Sequence, residues 1–240
     1  MKLVLIVAVF VFVHSAFTRK FPANFSRCRL SDPDLDNCLK TAIEKALHLI
    51  GSKGISSLNL PPIDPLKVSK LEIAQGTSAV KLVQKYTDLS ITGVSSSKVE
   101  NAHFDSTKKI FTFKTLTPNY NQEMDYDVNG KILVVPVYGS DNVTSINTIA
   151  FEEETRNNKS YYKIKSYKLS LEPSLCHVRY DGLFEGNEKL GATLLKTIND
   201  NWRDMFDDIK DGLEAAYAEV FKSVASGFFN TVPIQDIFLS

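Results

Sequence analysis

The chain carries no surplus charge of either sign: 28 Lys and Arg face 28 Asp and Glu over 240 residues. A balanced chain has no electrostatic footprint for nucleic acid and none for an anionic membrane. Histidine is scarce, at four, and no two of His48, His103 and His177 stand at metal-ligand spacing, so zinc chemistry has no ligand set. HExxH, G-x-S-x-G, Walker and G-x-G-x-x-G motifs are all missing, which removes the commonest hydrolase and nucleotide sites. The adjacent Cys176 and His177 do not make a dyad, because neighbours on a strand point to opposite faces. Asp125-x-Asp127-x-Asn129-Gly130 imitates half of a calcium loop. Its twelfth position is Pro136, where a bidentate glutamate belongs, and its flanks alternate like strands. No metal, no cofactor and no catalytic residue is expected. Only three cysteines are present, too few for a disulfide-built miniprotein. No apolar run after residue 16 approaches the ~18 residues of a membrane span.

Hydrophobic residues make up 43% of the chain, enough for a large core. Met1-Lys2 followed by the apolar run Leu3–Val13 and the small residues Ser15 and Ala16 reads as a signal peptide over 1–16. A single domain over 17–240 follows, expected in an extracellular fluid. In an oxidising compartment Cys28 and Cys38, ten apart, are expected to pair. Cys176 is left over as a small buried hydrophobe. The sequons at Asn24, Asn142 and Asn158 are candidate glycosylation sites.

Periodicity divides the chain in three. Leu35, Leu39, Ala42, Ile43, Leu47 and Ile50 repeat at helical spacing, with Ser31-Asp32-Pro33 before them and Gly51 behind. A proline-punctuated stretch, 54–65, comes next. From about 66 to 185 the period is two, with turn signals at Asn129-Gly130, Asn157-Asn158 and Asp181-Gly182, so a mostly antiparallel sheet is predicted. Then Leu190, Leu194, Ile198, Trp202, Phe206, Leu213, Tyr217, Phe221 and Val224 form one stripe at 3-and-4 spacing. Read as one helix over 188–226, the stripe runs roughly 55 Å. It needs a long apolar trough, which only the sheet can supply. The prediction is an α+β fold in which a strongly curved antiparallel sheet wraps a long C-terminal helix.

Three stretches carry a family resemblance over essentially the whole mature chain. These are FPANFSRCRLSDPDLDNCL; GISSLNLPPIDPLKVSKLEI, with Gly54, Ile55, Pro61, Pro62, Asp64 and Pro65; and the segment from Asp181 to Phe238, with its Leu-Phe-x-Gly-Asn, Asn-x-x-Trp and closing Val-Pro. The chain resembles the insect takeout and juvenile hormone-binding proteins, a family with circadian and feeding-related members. It departs at Asp141, where a glycine is usual, and at Asp211-Gly212, where proline is usual before Leu213. The hormone-binding branch has a second disulfide, for which Cys176 has no partner, so the takeout branch is the nearer likeness.

The resemblance implies a super-roll of the TULIP type, with a short N-terminal helix and an internal apolar tunnel. It implies a secreted, monomeric, non-enzymatic carrier of a hydrophobic small molecule: juvenile hormone, another terpenoid, a fatty acid or a similar long-chain lipid. Leu194, Ile198, Trp202, Phe206, Leu213, Tyr217 and Phe221, which face the sheet, are the candidate ligand contacts. The alternatives are a secreted signalling protein of the same fold, a lipocalin-like carrier, and a lipid-modifying enzyme. The long terminal helix argues against the lipocalin, and the missing nucleophile–base pair against the enzyme.

Overall fold

The structure, a computed structural model, describes residues 21–75, 82–128, 131–138, 142–179 and 187–239. The leader 1–16, the turns at Asn129-Gly130 and Asp181-Gly182, Asp141, and residues 183–186 of the Leu-Phe-x-Gly-Asn motif lie outside the described residues.

The first helix, α1 (Leu35–Ile50), is entered through an Asx turn in which the Asp32 carboxylate accepts the Asp34 N–H at 2.9 Å. It ends where Gly51 N–H bonds the Leu47 carbonyl. Its apolar face packs on the core through Leu39, Ala42, Ile43, Leu47 and Ile50. Cys28 and Cys38 are joined by a disulfide that ties the N-terminal arm to the helix.

Nine strands follow among the described residues: β1 (Leu66–Gln75), β2 (Leu82–Thr92), β3 (Lys98–Asp105), β4 (Ile110–Pro118), β5 (Asn121–Val128), β6 (Lys131–Tyr138), β7 (Asn142–Arg156), β8 (Lys159–Pro173) and β9 (His177–Val178). They pair in two antiparallel ladders, β1-β2-β5-β6-β9 and β3-β4-β7-β8. These are two sheets, which meet end to end across a bend as the first and second halves of one curved wall. Thr92 faces Asn121 in the first half, and just past the bend Lys98 faces Leu116 in the second. Asn121 faces Tyr138, and across the bend Pro118 faces Asn142. Tyr138 faces His177, and Val143 faces Pro173. Three neighbouring ladders thus cross from one half to the other at the same level. The Asn157-Asn158 turn joins β7 to β8 with both residues in the left-handed region, at φ 50° and 59°, as a two-residue hairpin requires.

The bend has a local cause. Gly93 sits at φ 98°, and a Cβ there would lie 2.9 Å from the Asn119 carbonyl oxygen, so only glycine lets the two kinks nest. The Asp64 carboxylate accepts Gly93 N–H at 3.1 Å, Ser95 N–H at 3.1 Å and the Ser95 hydroxyl at 2.6 Å. The Pro-Pro-x-Asp-Pro motif therefore acts as a staple on the curved sheet.

The C-terminal stripe forms two helices, α2 (Glu188–Asp200) and α3 (Trp202–Phe229), where continuous periodicity predicts one. Asn201 leaves the helical region, at φ −113° and ψ 27°. Its side-chain amide donates to the Thr197 carbonyl at 2.8 Å, the local competition with the backbone that makes Asn a helix breaker. Helix α3 runs between the edge strands β1 and β8, and a last short helix, α4 (Ile234–Ile237), packs on β8.

The interior holds two apolar clusters. One lies in the first half of the sheet, around Leu71, Leu89, Ile91, Phe206, Leu213 and Tyr217. The other lies in the second half, around Leu39, Phe104, Ile149, Phe151 and Tyr162. Hydroxyl and amide groups link up near the bend. Ser97 meets Thr117 at 2.7 Å and Thr115 meets Ser145 at 2.6 Å. Asn147 donates to Ser145 at 3.0 Å and accepts from the Tyr167 hydroxyl at 2.7 Å. Each group satisfies another, so the polar cross-links cost little where they are buried.

Candidate functional site

A cavity of about 250 Å³ opens between α1, the second half of the sheet and the C-terminal end of α3. Helix α1 presents Leu39, Ala42, Ile43, Ala46 and Leu47 to it. Alternation along the strands supplies the opposite wall, because residues two apart share a face: Phe111 and Phe113 from β4, Ile149 and Phe151 from β7. Phe104 of β3 and Tyr162 and Tyr167 of β8 complete it. The end of α3 contributes Phe221, Val224, Ala225, Phe228 and Phe229. Phe21, Phe25 and Cys28 of the N-terminal arm and Ile237 and Phe238 of the tail fill the remaining side.

The enclosing segments hold one another. Leu239 N–H donates to the Cys28 carbonyl at 2.9 Å, so the arm carries the tail and the disulfide carries the arm. Ring contacts lock the lining: Phe104 stacks on Phe238 with centroids 5.5 Å apart, Phe151 meets Phe229 at 4.8 Å, and Phe25 meets Phe228 at 6.1 Å.

No charged side chain is among the described residues that line the cavity. The polar side chains there are Ser26, Tyr162 and Tyr167, and the Tyr167 proton is committed to Asn147. Burial pushes the Tyr167 hydroxyl well above its ordinary range. Tyr162 is raised by burial and by the neighbouring Glu153. An uncharged, aromatic-walled space of this kind binds by apolar area and shape, with few polar groups for orientation.

The seven stripe residues are not gathered in one place. Phe221 lines the cavity. Phe206, Leu213 and Tyr217 are buried in the other apolar cluster, and Trp202 packs on its edge with the Arg203 guanidinium 4.3 Å above its ring. Ile198 is half-buried on α2, and Leu194 is 39% exposed. Most of the lining escaped the sequence reading because it comes from ten separate segments. The signals were there in the Phe111/Phe113 alternation and in Phe228, Phe229 and Phe238 beyond the end of the stripe.

Among the described residues, no nucleophile–base pair lines the cavity. Cys176 is free, half-buried, and its thiol is pushed up by burial, which keeps it protonated. Its surroundings are the first-half tyrosines: Tyr217 donates to Gln122 and is bonded to Tyr120. The Asp125-x-Asp127 segment is β5, a strand paired on both sides, which is no calcium loop. No group of three or more His, Cys, Asp and Glu able to hold a metal ion occurs among the described residues.

The buried phenols carry a prediction. Burial raises Tyr120, Tyr167 and Tyr217 above the usual value of 10. In the unfolded chain they ionise near pH 10, so above that pH the folded state binds more protons than the unfolded one. The stability they contribute is complete below about pH 10 and is lost as pH rises further. An ultraviolet titration should show at least these three of the nine tyrosines withheld until the chain unfolds in alkali. Ionisation of all nine in one step with the circular dichroism intact would contradict this.

Sequence and structure comparisons agree on where this architecture belongs. The family model described as haemolymph juvenile hormone binding protein (JHBP) matches residues 5–239. The chain belongs to this family. Among its relatives are the circadian clock-controlled protein daywake of Drosophila yakuba, 23% identical over 91% of this chain and 88% of that one, and its counterpart in Drosophila melanogaster, 22% identical over the same shares. The juvenile hormone-binding protein of Manduca sexta is 31% identical over 32% of this chain and 33% of its own length. Takeout 1 of Epiphyas postvittana superposes with a TM-score of 0.68 at 18% identity, covering 89% of this chain and 99% of that structure. The shared fold is the takeout super-roll, with the long helix in its curved sheet. The JHBP family is one of binding proteins for hydrophobic small molecules rather than of enzymes. Among the described residues no helix is long and apolar enough to cross a membrane.

Proposed function

We propose that this JHBP-family chain is a secreted carrier that holds one small, neutral lipophilic molecule in the cavity behind α1. The observation that carries this reading is a 250 Å³ space whose described lining is apolar and aromatic and free of charge. A ligand burying about 300 Å² of apolar area there gains roughly 7 kcal/mol at 25 cal/mol per Å², offset by the cost of ordering it. Micromolar affinity corresponds to about 8 kcal/mol, so apolar burial supplies the larger gain and hydrogen bonds must make up the remainder. An ionised carboxylate placed inside would lose its hydration with no cation to pair it, a heavy penalty. Esters, alcohols, epoxides and ketones of terpenoid or long-chain type fit better than free acids. Juvenile hormone belongs to that class, and a fatty acid would enter protonated or with its head outside. Phe221 is the stripe residue this reading assigns to the ligand.

The same reading places the leader 1–16 as a signal peptide and 17–240 as one monomeric domain in haemolymph or another extracellular fluid. Asn24, Asn142 and Asn158 are exposed and would carry N-glycans there. A fluorescent terpenoid or fatty-acid probe should bind the chain made in insect cells at one per molecule. A methyl ester should displace it at least ~10-fold better than the matching free acid at pH 8, with little dependence on salt. No stoichiometric probe binding, or binding abolished by modest salt, would refute the carrier.

A further inference from the structure

The outward side of α1 bears a second concavity, of about 380 Å³, between the helix and the Ser95–Lys98 turn. Its walls carry three lysines, Lys40, Lys45 and Lys98, and His48, together with the hydroxyl residues Thr41 and Ser95–Ser97. A single acid, Glu44, lies among them. That carboxylate is already occupied: it accepts Val99 N–H at 3.0 Å and Lys98 Nζ at 3.2 Å. A further carboxylate, Asp64, bonds Ser95 and is satisfied by the Gly93 and Ser95 donors. Lys45 reaches no closer partner than the Ser26 hydroxyl at 3.5 Å. The side chains of Lys40 and His48 make no hydrogen bond or ion pair among the described residues. In a chain with no net charge, this is a concentrated excess of cation in a recess, although the Thr41, Ser95 and Ser97 hydroxyls already donate to Asn37, Asp64 and Val94.

We propose that this groove binds a phosphate-class anion, either free or as the headgroup of an anionic lipid. Ammonium groups recognise phosphate as point charges, and the Ser96 hydroxyl at the rim of the same recess can add a directed donor. The recess differs from an ordinary solvated lysine face in that its charges converge on one space from two elements, α1 and the turn before β3. The inner face of the same helix walls the ligand cavity, so a headgroup seated here would hold a lipid surface against the outside of the wall behind which cargo is carried. The site itself does not depend on the carrier reading.

Inorganic phosphate, titrated in a chloride buffer of constant ionic strength, should shift the amide resonances of α1 and of Ser95–Lys98 with saturation in the millimolar range. Lys40→Gln should weaken that binding several-fold and Lys40→Gln/Lys98→Gln at least ~10-fold. Lys196→Gln on α2, with the same loss of charge, should leave it unchanged. Vesicles of phosphatidylserine and phosphatidylcholine separate the sources. Retention on the anionic vesicles that the double variant loses identifies a headgroup site, and phosphate binding without vesicle retention identifies a free-anion site. Probe binding in the cavity should survive in both variants, which distinguishes a failed groove from a failed carrier. Shifts absent up to tens of millimolar phosphate, or equal losses in Lys40→Gln and Lys196→Gln, would overturn the proposal.

Discussion

Ala46→Trp should give a folded chain that no longer takes up ligand. Ala46 lies one turn from Ala42 on the inner face of α1, and both line the cavity. A tryptophan there would put its indole into the space across which α1 faces Phe113, Ile149 and Phe151. Overpacking a filled core costs about 1–3 kcal/mol. Filling a void instead restores the contacts its lining lacks, so the melting temperature should hold or rise. Probe affinity should fall at least ~100-fold, which is about 2.7 kcal/mol of binding. The paired measurement matters: lost binding with an intact melt assigns the cavity as the site. Unchanged affinity in the folded variant would move the ligand elsewhere in the roll.

How much of this was legible in the sequence follows from what kind of information each feature carries. Helix α1, the antiparallel strands and the amphipathic C-terminal segment are written in local periodicity, and they stand where the 3.6 and 2.0 periods put them. The family motifs added the roll. The structure then explains two of them: Gly54, at φ 63° with its Cβ position 2.4 Å from the Leu60 carbonyl oxygen, permits a tight return, and Asp64 staples the bend. The break at Asn201 was not legible from the stripe, because apolar spacing continues through it. It depends on one side chain bonding back to Thr197. The cavity was least legible of all. Filled and hollow interiors have the same alternation, and only the tertiary arrangement shows that, of Phe206 and Phe221 on the same helix and against the same cluster, Phe221 alone lines the cavity.

That difference between Phe206 and Phe221 can be measured directly. Phe206 is 7% exposed and packs with Leu213, Tyr217 and the first-half strands, its ring beneath Lys210 Nζ at 5.9 Å. Truncation to alanine there removes a buried ring from a packed cluster and should cost about 3–5 kcal/mol. In a chain of this size that lowers the melting temperature by roughly 10 °C or more. Because the ring lies away from the cavity lining, probe affinity in the surviving folded fraction should stay within about twofold. Phe221→Ala should behave in the opposite sense. Its ring already borders open space, so less packing is lost, and the enlarged cavity should change affinity and chain-length preference more than stability. Trp202 supplies an internal check, as the chain's one tryptophan. It lies on the Phe206 side of the interior, so a polyene or quinone bound behind α1 should quench it less than one lying along the stripe. Strong quenching at saturation, together with weakened binding in Phe206→Ala, would place the ligand along α3 and reverse the roles of the two residues.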